Sequence, residues 1–190
     1  MHCQHNCIMN KTAMRKVLLI LPLLFLLSVS YAQKKDTGSL IDSLAFINTD
    51  SIDCNSSIYW EIVAKGKEAI PFLIEKLSDT TLTNVGHHCK KTKLNVGELA
   101  QFALTEIGSF PAFLITKIQF DVIILNEHGQ GCWSFYDYFF INENKIHYQE
   151  KIREWYDKQE RKYVRENISR KKQSACQKRY GIKFYYRWNG

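Results

Sequence analysis

"IPFLIEKL" occupies residues 70–77, and forty-one residues further on the chain reads "FPAFLITKI", residues 110–118. Phe72-Leu73-Ile74-Glu75-Lys76-Leu77 sets against Phe113-Leu114-Ile115-Thr116-Lys117-Ile118, and Pro71 and Pro111 lead the two copies. Ile70, Leu73, Ile74 and Leu77 keep the i, i+3, i+4, i+7 spacing of one helix face, so a helix is predicted over 67–78. Pro71 falls in its first turn, where a missing N–H loses no helical partner. Upstream, "SSIYWEIVAK" (56–65) predicts a helix with Ile58, Ile62 and Val63 inward, started by Ser56 or Ser57 and ended by Gly66. Downstream, "NVGELAQFALTEIG" (95–108) places Val96, Leu99, Ala100, Ala103 and Ile107 on one stripe closed by Gly108. Asn95 with Glu98 three residues on is a capping-box pattern. The order is helix, glycine, proline-led helix and loop, used twice.

"GKEAIPFLIEKLSDTT" and "VGELAQFALTEIG" resemble the B and A helices of HEAT-type repeats. The resemblance covers residues 56–120 and implies a mainly α fold with a two-unit helical repeat core, whose stacked helices present a surface to a partner. A free solenoid needs three or more units, so residues 121–190 are expected to cap the stack within one domain, 56–190. "FDVIIL" (120–125) reads as a strand or a helix end, and "NEHGQG" (126–131) as a turn. "CWSFYDYFFI" (132–141) is aromatic nearly throughout and must be mostly buried or form a sticky face. Residues 143–172 read as one long helix with Ile146, Ile152, Trp155, Tyr156, Tyr163 and Val164 on its apolar side, lying across the repeat pair. The final "YGIKFYYRWNG" is a docked strand or a loose tail.

The N-terminus reads as an address. Arg15 and Lys16 precede the apolar run "VLLILPLLFLLSV" (17–29), and Ser30-Tyr31-Ala32 is a small-x-small site with cleavage between Ala32 and Gln33. The run is short for a membrane span, and it holds no cysteine for a lipid anchor. Met14 is the better start for such a signal, so residues 1–13, with His2, Cys3, His5 and Cys7, read as a misplaced start. Residues 33–55 are polar and read as a linker, with "LIDSLAFI" (40–47) able to form one short helix.

The mature chain keeps Cys54, Cys89, Cys132 and Cys176, an even count that suits disulfides in an exported protein. Three pairings are open. His87, His88, Cys89, His128 and Cys132 are the residue types of a zinc site, but His-His-Cys in one run matches no standard spacing. A disulfide-stapled loop with solvated histidines is the preferred reading, and no metal or cofactor is expected. Hydrolase and nucleotide signatures are missing: there is no G-x-S-x-G, H-E-x-x-H, P-loop or G-x-G-x-x-G. Glu61, Glu68 and Glu75 stand seven apart, as on a solvated helix face, and Glu98 with Glu106 is the other carboxylate pair. No catalytic residue is assigned.

Charge is uneven. The chain carries +7, and residues 151–190 hold 13 Lys and Arg against 4 Asp and Glu. Arg161, Lys162, Arg165, Arg170, Lys171 and Lys172 form the expected basic surface, interleaved with aromatics. That mixture suits anionic envelope surfaces or acidic protein clefts, and export argues against nucleic acid. Two sequons, at Asn55 and Asn167, matter only in a glycosylating compartment. The expected function is an exported protein-binding module, of which an envelope immunity or inhibitor protein is one version. A metal- or disulfide-dependent envelope enzyme and a basic-tail binder are the alternatives. The loops at 79–95 and 126–132 are the expected functional surfaces.

Overall fold

A computed structural model describes residues 37–190. The segment read as a signal, the cleavage site expected between Ala32 and Gln33, and residues 1–13 lie outside the described residues. The fold is mainly α-helical with a few short strands. From Ser57 on, the described residues form the helices α1 (Ser57–Ala64), α2 (Ile70–Lys76), α3 (Val96–Ile107), α4 (Ala112–Thr116), α5 (Phe135–Phe139), α6 (Asn142–Gln159) and α7 (Ala175–Arg179). Four strands form two separate antiparallel hairpins, β1 (Ile123–Leu125) with β2 (Gly131–Trp133), and β3 (Tyr163–Asn167) with β4 (Phe184–Trp188).

The centre is α3. Ten of its twelve residues are buried, so it is covered on every side and not along one stripe. Its start is built as the sequence predicts: Asn95 Oδ1 accepts from the Glu98 N–H, and Glu98 Oε2 accepts from the Asn95 N–H. Gly97 lets this start approach the end of α2, since a Cβ there would lie 2.2 Å from the Leu77 carbonyl oxygen. Gly108 serves the other end. Its backbone is extended, and a Cβ would lie 2.6 Å from the Tyr186 carbonyl oxygen of β4. Close approach, not helix termination by a left-handed residue, explains this glycine. Gly66, at φ +60°, does follow α1 in the left-handed conformation.

The two proline-led helices are not equivalent. Ile70, Leu73, Ile74 and Leu77 are all buried, each contributing about 2 kcal/mol of apolar burial. In the second copy Ala112, Ile115 and Thr116 are buried, while Phe113 and Ile118 are exposed. The helix stops at Lys117, which turns left-handed at φ 63°. The second copy therefore supplies one turn of packing where two were expected.

Two further expectations are corrected, and one open alternative is decided. Residues 37–47 are packed structure and not linker: a helical segment over 37–42, overlapping the short helix expected at 40–47, runs into a 3-10 turn, Ser43–Phe46, and buries Ile41 and Leu44 in the core. The helix predicted to 172 ends at Gln159. After the 3-10 turn Glu160–Lys162, Tyr163 and Val164 enter β3, whose full register with β4 runs from Tyr163↔Trp188 to Asn167↔Phe184. That pairing gives the backbone hydrogen bonds a partner that local periodicity does not reveal. The C-terminus is a docked strand and no loose tail: Ser109 N–H donates to the Tyr186 carbonyl, and Trp188 N–H to Ser109 Oγ.

α6 lies across α2, with Gln149 Nε2 donating to the carbonyls of Ile74 and Glu75 and Arg153 pairing with Glu75. It also reaches α3, because Lys145 Nζ bonds Glu98 Oε1 at 2.7 Å, both side chains fully buried. Disulfides join Cys54 to Cys176 and Cys89 to Cys132.

Candidate functional site

The two loops singled out in the sequence meet. Cys132 on β2 is bonded to Cys89, and Asn126 Nδ2 donates to the His88 carbonyl at 2.9 Å. Asn126 also shapes the β1–β2 turn: its Oδ1 accepts from the N–H groups of His128 and Gln130, and Gly129 takes the positive φ. The result is a hairpin stapled to the 86–91 loop.

This hairpin is apolar and exposed. Val122, Ile123, Ile124 and Leu125 are 57, 60, 45 and 67% exposed. Among the described residues β1 pairs with β2 alone, leaving its other edge without a strand. Four consecutive exposed aliphatic residues, the last three on a strand with a free edge, are what a soluble monomer ordinarily avoids. The segment after it divides its aromatic side chains. Phe135 and Phe139 are buried, while Trp133, Tyr136, Tyr138 and Phe140 pack against the core from its margin.

Beside the loop lies a cleft of about 560 Å³. Glu106, from the last turn of α3, and Phe102, one turn earlier on the same face, line it with His87, Tyr136, Tyr59 and Trp60. His87 stacks on Phe102 at 4.6 Å, and its ring lies 4.3 Å from that of His88 in a tilted pair. Tyr136 stands 5.2 Å from Phe102. Burial, assisted by His88, lowers the His87 pKa to about 4, so this ring is neutral at pH 7. Its Nδ1 accepts from the Cys89 N–H. Burial also raises the Glu106 carboxyl above its ordinary range, opposed by a hydrogen bond from Gln177 Nε2 at 3.2 Å. The hydroxyls of Tyr59 and Tyr136 are raised by the same loss of water and then by the Glu106 charge.

The zinc candidates are only partly gathered. Ligand atoms of His87, His88 and Cys89 lie within 4.8 Å of one another. Both sulfurs, Cys89 and Cys132, are consumed by their mutual disulfide, and a disulfide sulfur is not a thiolate ligand. His128 is exposed on the turn and stands outside the cluster. His87 is not a solvated histidine, because it is half-buried among rings.

The basic residues are exposed, as expected, but they do not share one helix. Arg161 and Lys162 stand on the 3-10 turn, Arg165 on β3, and Arg170, Lys171 and Lys172 on the loop after it. The Arg165 guanidinium sits 3.2 Å over the Phe184 ring. Glu98 and Lys145 were missed as a pair. The capping box was the one sequence signal that pinned Glu98 inward.

No family model, characterised protein or solved structure matches the chain. The structure defines a mainly helical domain with two disulfides, and among the described residues no helix is long and apolar enough to cross a membrane.

Proposed function

We propose that the chain is an exported protein-binding module that engages its partner through the β1–β2 hairpin. The observation that carries this reading is the exposed run Val122–Leu125, whose last three residues form a strand with a free edge in a hairpin stapled by Cys89–Cys132. An extended segment of the partner adds to the β1 edge, where main-chain hydrogen bonds give affinity and the aliphatic side chains give contact area. The staple holds the hairpin before binding, which reduces the ordering entropy of association. The helix pairs α1–α2 and α3–α4 read as a short HEAT-like stack, a fold-level analogy that suits a scaffold for such a surface. Export, to the periplasm or outside the cell, is supported by the 14–32 signal pattern and by two disulfides. In the immunity or inhibitor version, the exposed Arg161, Lys162, Arg165 and Arg170–Lys172 speed encounter with an acidic partner. An enzyme draws less support, because the sulfurs its metal version needs are already bonded.

The test compares the tagged wild type with an Ile123→Asp/Leu125→Asp variant, crosslinked in the cell envelope. Both positions are exposed, so the variant should keep its thermal transition. Recovery of a dominant near-stoichiometric protein with the wild type, cut about tenfold or more in the variant, is the expected result. Equal recovery by both proteins, or no dominant partner, overturns the proposal.

A further inference from the structure

The 560 Å³ cleft has the size of a small-molecule site and an unusual electrostatic lining for a chain of charge +7. Glu106 stands in the last turn of α3, where the helix dipole already contributes negative potential. Among the described residues no cation acts on it, and Gln177 holds its Oε2. A half-buried carboxylate facing only neutral partners is left with attraction to spare. Lys93, near the Gly86 side of the rim, is directed to Asp50 at 3.9 Å. His87 carries no charge at pH 7, so it does not neutralise the site.

The rest of the lining is aromatic. Phe102, His87 and Tyr136 form one packed group, with the His87 and Phe102 rings nearly parallel at 28°. Ring faces attract cations through their quadrupole, most strongly where water is partly excluded. Both disulfides brace this lining. Cys89–Cys132 ties the His87–His88 segment to the chain four residues before Tyr136. Cys54–Cys176 ties the segment after Ser51 and Ile52 to α7, where Gln177 holds Glu106. The cleft is therefore set before any ligand arrives, and a small ligand need not supply the ordering energy.

We propose that this cleft binds a small organic cation of the alkylammonium class, with Glu106 meeting the charge and Phe102 and Tyr136 meeting the alkyl groups. The site is distinct from the exposed β1 edge, although the Cys89–Cys132 disulfide braces both.

Choline chloride is the probe, and aromatic proton shifts of the full mature protein are the readout. The neutral carbon isostere 3,3-dimethylbutanol tests charge on the unaltered protein. Glu106→Gln tests the carboxylate while keeping a partner for Gln177. Expected are saturable shifts of the Phe102 and Tyr136 rings with choline, and affinities weaker by about tenfold or more for the isostere and for the variant. No saturable shift at millimolar choline overturns the proposal. So does equal affinity for choline and its isostere, or for wild type and variant.

Discussion

Glu98 shows how a residue that reads as ordinary on paper becomes a structural anchor. Its carboxylate takes bonds from Lys90, from Lys145 and from the Asn95 N–H, all with no exposure of its own side chain. Lys90 in turn lies 5.3 Å over the Phe140 ring, and Lys145 lies 5.9 Å over Phe139. One carboxylate thus fastens the 86–91 loop and α6 to the start of α3. Replacing it leaves Lys145 buried and uncompensated, so Glu98→Ala should lose about 3–5 kcal/mol in urea unfolding. A loss below about 1 kcal/mol, the range of an exposed pair, would show that the triad is not buried in solution. His87 gives the pH dependence. Its folded pKa of about 4 lies below the ordinary 6.5, so the unfolded chain takes up a proton first as pH falls. Stability contributed by neutral His87 is therefore complete above 6.5 and is lost between 6.5 and about 4. After discounting for its partial exposure, the loss is about 1–2 kcal/mol. Glu106, raised by burial, acts in the opposite sense, losing stability as pH rises through its window. Comparing unfolding of wild type and His87→Asn across this range isolates the histidine. An unchanged pH slope would place His87 in water.

At the scale of elements, glycines set how closely helices and strands meet. In an open helix Gly97→Ala should stabilise by up to about 1 kcal/mol through propensity. Here the new Cβ would meet the Leu77 carbonyl, so the same change should destabilise by about 1–3 kcal/mol. The sign of the shift in thermal midpoint decides between the two. The C-terminal elements work as a latch. β4 pairs with β3, and its Tyr186 also bridges Gly108 at the end of α3. Removing residues 173–190 would therefore remove α7, β4 and one half of a disulfide, not a free basic tail. That deletion should abolish cooperative unfolding altogether. A truncated protein with a sharp, near-native transition would show that the latch is dispensable. The helical reading of 143–172 failed at this scale, because Trp155 and Tyr156 fit a helix period while Tyr163 is held by a partner strand about twenty-five residues away.

At the scale of the whole molecule, two nested crosslinks close loops of 122 and 43 residues. Chain-entropy arguments assign each about 4–5 kcal/mol, of the order of the net stability of a small domain. Non-reducing peptide mapping should recover the pairs 54–176 and 89–132, and Cys54→Ser/Cys176→Ser should unfold at markedly lower urea. Recovery of a 54–89 or 54–132 link would reject this arrangement. The sequence by itself determined the local features: the mainly helical class, the α2 face, the Asn95–Glu98 cap and the Gly66 stop. Each is set by residues within a few positions of one another, where periodicity and capping act. Tertiary structure alone decided which cysteines pair, that Glu98 and Lys145 meet, that β3 finds β4, and that Glu106 and His87 share a cleft. Those contacts join residues far apart in the chain, and their free energy comes from exclusion of water, which no local pattern records.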